Sequence, residues 1–309
     1  MGTVVAKLCC LWLVAAVAAL AFVSPAARAE TLPEEPIRAP KAPVERDRQN
    51  LSRIERPVSI PQLEPASLDL KLGERLDYDI RVSGVPAGKA FMEVRKKQRA
   101  GDDEKGPEVW TVALEARSNR AVSMFMYNVQ NMAKSLIDVK SGFSRFYSID
   151  NKEGKSKIKE RISFNYEIDK MQATYEAPRP TDGEWRKYMV PLPGKVLDPL
   201  AAVFYLRSMN LQNLKDESFF LPICTDRRVW NTKIKIVGRG LESVAGLKDR
   251  ECLILEPEAE FKGLFERKGK MRIWVDSETG IPLKMNVEIP IGPAEVILTE
   301  QSNSPLQSK

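Results

Sequence analysis

The sequence predicts a mainly β protein: a curved antiparallel sheet or incomplete barrel with one packed helix. Three observations carry that expectation. Beyond residue 68, apolar residues recur at every second position in run after run, so one face of each extended segment can be buried. Short segments bearing Gly, Pro or Asp separate these runs, as antiparallel neighbours require. One segment alone breaks the period of two with the start signals of a helix.

Two segments precede the sheet. Leu8 to Val23 is a run of sixteen apolar residues, with Lys7 before it and Ala27-Arg28-Ala29 after it. That order is an export signal (residues 1–29), with cleavage expected before Glu30; the run is shorter than the roughly 20 residues of a spanning helix. Cys9 and Cys10 lie inside the apolar run rather than after a small-residue site, which argues against a lipid-modified cysteine. The expected location is periplasmic or otherwise exported, with no transmembrane segment after cleavage. Residues 30–65 hold seven of the 21 prolines among thirteen charged residues, a composition that disfavours helix and offers little apolar area to bury. This stretch reads as a Pro-rich charged linker. Residues 66–302 are expected to form one β-rich domain.

The domain opens with Arg75 to Val82, where Leu76, Tyr78, Ile80 and Val82 share one face and Asp77, Asp79 and Arg81 the other. Gly84-Val85-Pro86-Ala87-Gly88 turns the chain and Lys89 to Arg95 returns it. Alternation recurs in 108–116, 131–138, 157–168 and 171–176, the last two joined at Asp169-Lys170. Asp198-Pro199-Leu200 supplies an N-cap followed by Pro at the first helical position, with Leu200, Val203 and Phe204 on one face. A helix over about 198–210 follows, and Asp198 is its cap rather than a catalytic acid. Glu258 to Phe265, a turn at Lys268-Gly269, Lys270 to Asp276, Ile281 to Ile289 and Glu295 to Thr299 complete a meander.

The chain has no histidine, which excludes Ser-His-Asp and Cys-His nucleophiles and His-containing zinc sites. Its formal charge of +6 falls to +4 once Lys7 and Arg28 leave with residues 1–29. No dense basic run interleaved with aromatics tracks phosphates, so no nucleic-acid partner is expected. The basic stretch Glu266 to Lys270 reads as a solvated turn, with anionic headgroups as its lesser reading. Cys224 and Cys252 remain after cleavage and are expected to form one structural disulfide around 27 intervening residues, worth about 3 to 4 kcal/mol in the chain-entropy model.

Three ordered blocks resemble a known family. They are Gly73-Glu74-Arg75-Leu76-Asp77-Tyr78-Asp79-Ile80 with Gly84 to Ala90, Asp198-Pro199-Leu200 with Tyr205-Leu206-Arg207, and Gly269 to Asp276 with Ile281-Pro282. Over about residues 68–300 the chain is similar to the exported bacterial domain-of-unknown-function family 3108. The resemblance implies a secreted or periplasmic, mainly β domain of the cell envelope. It brings no activity and no catalytic residues.

Candidate chemistry is sparse. Glu256, Glu258 and Glu260 share a face if extended; this is a hard-cation site or, with Pro257 among them, a protected edge strand, and the edge strand is the preferred reading. Asp102-Asp103-Glu104 reads as a polar loop. Asp77 and Asp79 suit salt bridges to Arg81 or Lys89 better than a glycosidase pair. Met124-Phe125-Met126-Tyr127 with Met132 is a soft, aromatic patch that suits acyl chains or flat ligands, against a default of core packing. Trp110, Trp185, Trp230 and Trp274 are packed residues or sugar platforms. The candidate ligand contacts are Tyr78, Phe125, Tyr127, Met132 and Trp274, with no catalytic residue, metal or cofactor.

The expected function is a non-enzymatic envelope protein that binds a lipid-like or glycan ligand, or assists its transport or assembly. A continuous apolar cavity is the mark of the lipid version. A carboxylate-dependent glycan hydrolase is the alternative, and a partner docking on the Pro-rich arm is a third reading.

Overall fold

The computed structural model describes residues 68–303 except 101–105, 126–127, 168–170, 180–182, 215–216, 245–248, 259–270 and 290–291. The export signal, the linker, Asp102 to Glu104, Tyr127, Glu260 and Glu266 to Lys270 therefore lie outside the described residues.

Among the described residues, fourteen strands form one antiparallel sheet that stays open. The first half is a meander: β1 (Glu74–Val82), β2 (Val85–Arg99), β3 (Glu108–Ser118), β4 (Val129–Asp138), β5 (Ser144–Glu153), β6 (Ser156–Asn165), β7 (Gln172–Pro178) and β8 (Trp185–Pro191). The second runs back through β9 (Ser218–Thr225), β10 (Arg228–Glu242), β11 (Arg250–Glu258), β12 (Met271–Asp276), β13 (Pro282–Ile289) and β14 (Gly292–Asn303). β14 pairs with β1, so the two halves join through the ends of the chain and β8 and β9 become the edges.

The period of two explains the curl. Leu76, Tyr78, Ile80 and Val82 of β1 are buried on the inner face, as are Met92 and Val94 of β2, Val112 and Leu114 of β3, and Val296 and Leu298 of β14. A sheet with one continuous apolar face buries it by bending around it. The expected strands over 75–82, 89–95, 108–116, 131–138, 171–176, 281–289 and 295–299 are present, as are the described parts of those over 157–168 and 270–276, whereas Glu258 to Phe265 beyond Glu258 and the Asp169-Lys170 connection lie outside the described residues. β5, β8, β9, β10 and β11 are additional, and β5 shows why alternation missed them: its inner face carries Asn151 and Glu153, both buried.

The helix forms where the cap signals place it, as α2 (Pro199–Tyr205), continued by 3-10 turns at Leu206–Ser208 and Leu211–Asn213. It is shorter than expected, because Met209 turns extended. Leu200, Phe204 and Tyr205 fill one end of the sheet's interior. A second helix, α1 (Arg120–Phe125), joins β3 to β4 on the Met-rich segment. Asn119 starts it, accepting from Val122 N–H through Oδ1 and donating to Pro86 O.

The segment Val196–Asp198 bridges the open seam. Leu197 N–H donates to Pro222 O and Cys224 N–H to Leu197 O, a parallel bridge on the edge of β9, while Ser144 N–H of β5 donates to Val196 O. The first two bonds satisfy groups on the β9 edge that an open sheet exposes, and the third ties the segment to β5. The Arg227 guanidinium lies 4.9 Å above the Tyr188 ring, a contact between the β9–β10 turn and β8. No helix among the described residues is long and apolar enough to cross a membrane.

The expected disulfide is corrected. Both cysteines are free and buried. Cys224 lies opposite Val229 and Cys252 opposite Gly240, eleven residues apart along β10. At about 3.3 Å per residue that is roughly 36 Å, against about 7 Å for the widest bridgeable Cα pair. The edge-strand reading of Glu256 and Glu258 is corrected as well: β11 lies between β10 and β12, Glu256 meets Arg272 at 3.5 Å, and Glu258 meets Lys235 at 2.6 Å.

Candidate functional site

Three groups of polar side chains interrupt the apolar interior. The first surrounds Asp198. Its Oδ1 accepts from Leu200 and Ala201 N–H at 2.9 Å each, and its Oδ2 accepts from the hydroxyls of Ser135 and Ser144 at 2.6 Å each. Complete burial pushes its carboxyl up to about 6, with the four hydrogen bonds pulling the other way. Every oxygen is engaged, so Asp198 caps α2 and ties it to β4 and β5.

The second group is Glu74 with Arg207. Arg207 Nη2 donates to both carboxylate oxygens at 2.9 and 3.0 Å, linking β1 to the turn after α2. Beside it the Tyr78 hydroxyl donates to Pro282 O at 3.0 Å, and burial raises its pKa. Tyr78 is thus a core residue with a satisfied hydroxyl.

The third group lies near the other end of β4 and β5. Asn131 and Asn151 are cross-strand partners on the inner face, and Glu153 is opposite Val129. Asn131 Nδ2 donates to Glu153 Oε1 at 2.6 Å. Burial raises the Glu153 pKa, partly offset by that hydrogen bond. Asn131 Oδ1 and both amide atoms of Asn151 have no hydrogen-bond partner among the described residues. Asn151 is 1% exposed. An unpaired buried polar group costs about 1 to 3 kcal/mol, so this cluster is the costliest of the three to keep for structure alone. Its free valences are one amide donor pair and two amide oxygens, the complement of hydroxyl groups that donate and accept together.

The sequence candidates do not converge here. Met132 neighbours Asn131 but points outward, because successive residues of β4 alternate faces; it is 41% exposed. Trp274 lies on the outer face of β12, with Lys284 Nζ 5.2 Å from its ring and five strands between it and β4. Phe125 ends α1, and Tyr127 is outside the described residues. Trp110 is buried and donates to Leu68 O, whereas Trp185 is exposed on edge strand β8, so the tryptophans share no platform. Asp79 meets Lys89 at 3.8 Å, as expected, and Asp77 meets Arg75 at 2.8 Å. The Asn131–Asn151–Glu153 group escaped sequence reasoning because amides on a strand signal nothing until pairing shows which face they occupy. No group of three His, Cys, Asp or Glu among the described residues could hold a metal ion.

Fold and interior together define an open, β-barrel-like protein, plugged at one end by a capped helix and polar near the other. The chain belongs to the family described as protein of unknown function (DUF3108), whose model matches residues 77–299. No curated protein matches it. Among solved structures it is similar to the crystal structure of a beta-barrel-like protein of domain of unknown function DUF1849 from Brucella abortus. The two share 12% identity over 75% of this chain and 98% of that one, with a TM-score of 0.47.

Proposed function

We propose that this protein is a non-enzymatic, exported component of the bacterial cell envelope. In this reading it binds a hydroxyl-rich ligand, a glycan or the glycan-like head of an amphiphile, and assists its transport or assembly. The observation that carries the reading is Asn151, buried on the inner face with an amide that no group among the described residues satisfies, beside the Asn131 oxygen, which also lacks a partner among them. Hydroxyls of a sugar meet those groups in kind. The apolar part of the interior supports a lipid tail less well. Leu76, Ile80, Met92, Leu114, Ile137 and Ile162 are fully buried against one another and against α2, so the inner face fills itself.

Mass spectrometry of the protein purified from its native compartment tests this. A co-purifying glycan or glycolipid is expected, lost in Asn151→Leu while the fold persists. A protein that is consistently empty, with Asn151→Leu changing only stability, refutes the reading. The hydrolase alternative draws on one observation, the raised pKa of Glu153. The other inner-face acid of the same hairpin, Glu160, is opposite Ile149, four residues or about 13 Å along the strand. Turnover of envelope polysaccharides that disappears in Glu153→Gln would replace binding with catalysis.

A further inference from the structure

The β5–β6 hairpin mixes charges in sequence: Lys152, Glu153, Lys155, Lys157, Lys159, Glu160 and Arg161. The pleat separates them. Glu153 and Glu160 face the interior at 3% and 6% exposure. Lys152, Lys157, Lys159 and Arg161 face outward, Lys155 sits in the turn, and all five are exposed. Cross-strand pairing widens this basic face. Lys152 lies opposite Lys157, Lys134 shares a row with Ser148 and Arg161, and Arg161 lies opposite Glu176, which meets Lys187 at 3.2 Å. Among the described residues, the acids on the outer face of these strands near the seven cations are Asp150 and Glu176, with Glu184 exposed in the turn before Trp185; Asp150 is taken up by Lys159 at 3.0 Å.

Large apolar side chains occupy the same face. Met132, Trp185 and Met189 are 41%, 40% and 51% exposed, and the Arg161 guanidinium lies 4.6 Å above the Trp185 ring. Thr174 sets Met189 on this side, and Pro178 sets Trp185 beside it. Both are on edge strand β8, where the sheet ends.

We propose that the outer face of β4 to β8 docks on an anionic lipid bilayer. Charge complementarity argues for that occupant. Each lysine close to an anionic surface contributes about 1 kcal/mol, and this attraction needs clustered charges rather than a large net charge. The cations are mostly lysines, point charges on flexible stems on a convex face, without the bidentate arginine forks that select single phosphates. Trp185 and the two methionines supply the apolar contact that interfaces take up and a soluble polyanion does not use. The proposal is independent of the Asn151 cluster, which lies on the opposite face of the same strands.

Co-sedimentation of the chain from Glu30 onward, without the apolar run of residues 8–23, with phosphatidylcholine vesicles, with and without phosphatidylglycerol, is the test. Binding that requires phosphatidylglycerol and weakens in high salt is expected. Lys152→Glu with Lys157→Glu removes two attractions and adds two repulsions, so affinity should fall at least about tenfold. Trp185→Ala should weaken binding as well. Arg81→Glu with Lys89→Glu, on the outer face of β1 and β2, should leave it unchanged, and circular dichroism checks that each variant folds. Equal binding to neutral and anionic vesicles, or no effect of the hairpin reversal, overturns the proposal. So does capture by soluble dextran sulfate with the same variant dependence while vesicles are ignored, since the face would then belong to a polymer.

Discussion

Replacing Asp198 with Asn should change how stability depends on pH. In the fold the Asp198 carboxyl is pushed up to about 6 from an ordinary 3.8, because burial penalises its charge more than four hydrogen bonds favour it. Between those values the folded chain holds a proton that the unfolded chain has released. Stability from this group is therefore complete below about pH 4 and is lost as pH rises through about 6. The shift of about two units, at about 1.4 kcal/mol each, amounts to roughly 3 kcal/mol. Asp198→Asn keeps an oxygen for Leu200 and Ala201 N–H, but obliges the Ser135 and Ser144 hydroxyls to turn and accept. It should cost about 1 kcal/mol at low pH and become the more stable form by neutrality. Urea unfolding followed by tryptophan fluorescence, for both proteins from about pH 4 to about pH 7, measures the difference. A difference that stays constant within about 0.5 kcal/mol across that range would refute the view that Asp198 is buried without a compensating cation.

Other expected outcomes follow from the same contacts. Arg207→Met leaves the Glu74 carboxylate buried without its partner and should cost about 3 to 5 kcal/mol in urea unfolding, most of it recovered in Glu74→Leu with Arg207→Met; a loss under about 1 kcal/mol would mean that water reaches the pair. Gly280 has φ +67°, and a Cβ there would come 2.5 Å from Arg207 Cα. Gly280→Ala should cost roughly 2 to 4 kcal/mol and lower the thermal midpoint, whereas an unchanged midpoint would show that the turn is not pressed against the 3-10 turn that follows α2. Alkylation of the unreduced, unfolded protein should label Cys224 and Cys252 fully, and in the native protein Cys224 should resist, since burial pushes its thiol up to about 12. A peptide map joining the two would overturn the strand order.

Much of this fold is local. Alternation in Arg75 to Val82 dictates a half-buried strand whatever its neighbours, and Asp198-Pro199 dictates where a helix starts, because both depend on residues within one or two turns of chain. The inner-face amides were illegible for the converse reason. Asn151 lies in a run that also carries Lys152 and Asp150; Tyr147 and Ile149 are in phase with it, but Phe146 beside them blurs that short period, and pairing with Asn131 is what settles its face. The disulfide expectation failed on the same ground, since compartment and cysteine count say nothing of an eleven-residue separation along β10.

By itself, then, the sequence determined a β-rich body, its helix start, the absence of histidine chemistry and the family. Only the tertiary structure decided that β14 closes onto β1 and that Val196–Asp198 bridges the seam between the two halves. It also decided that the acids of the β5–β6 hairpin turn inward while its lysines turn out. The physical reason is that a strand's period is set along the chain, but its partner, and hence the face each polar side chain occupies, is set by contacts between residues as far apart as Tyr78 and Leu298.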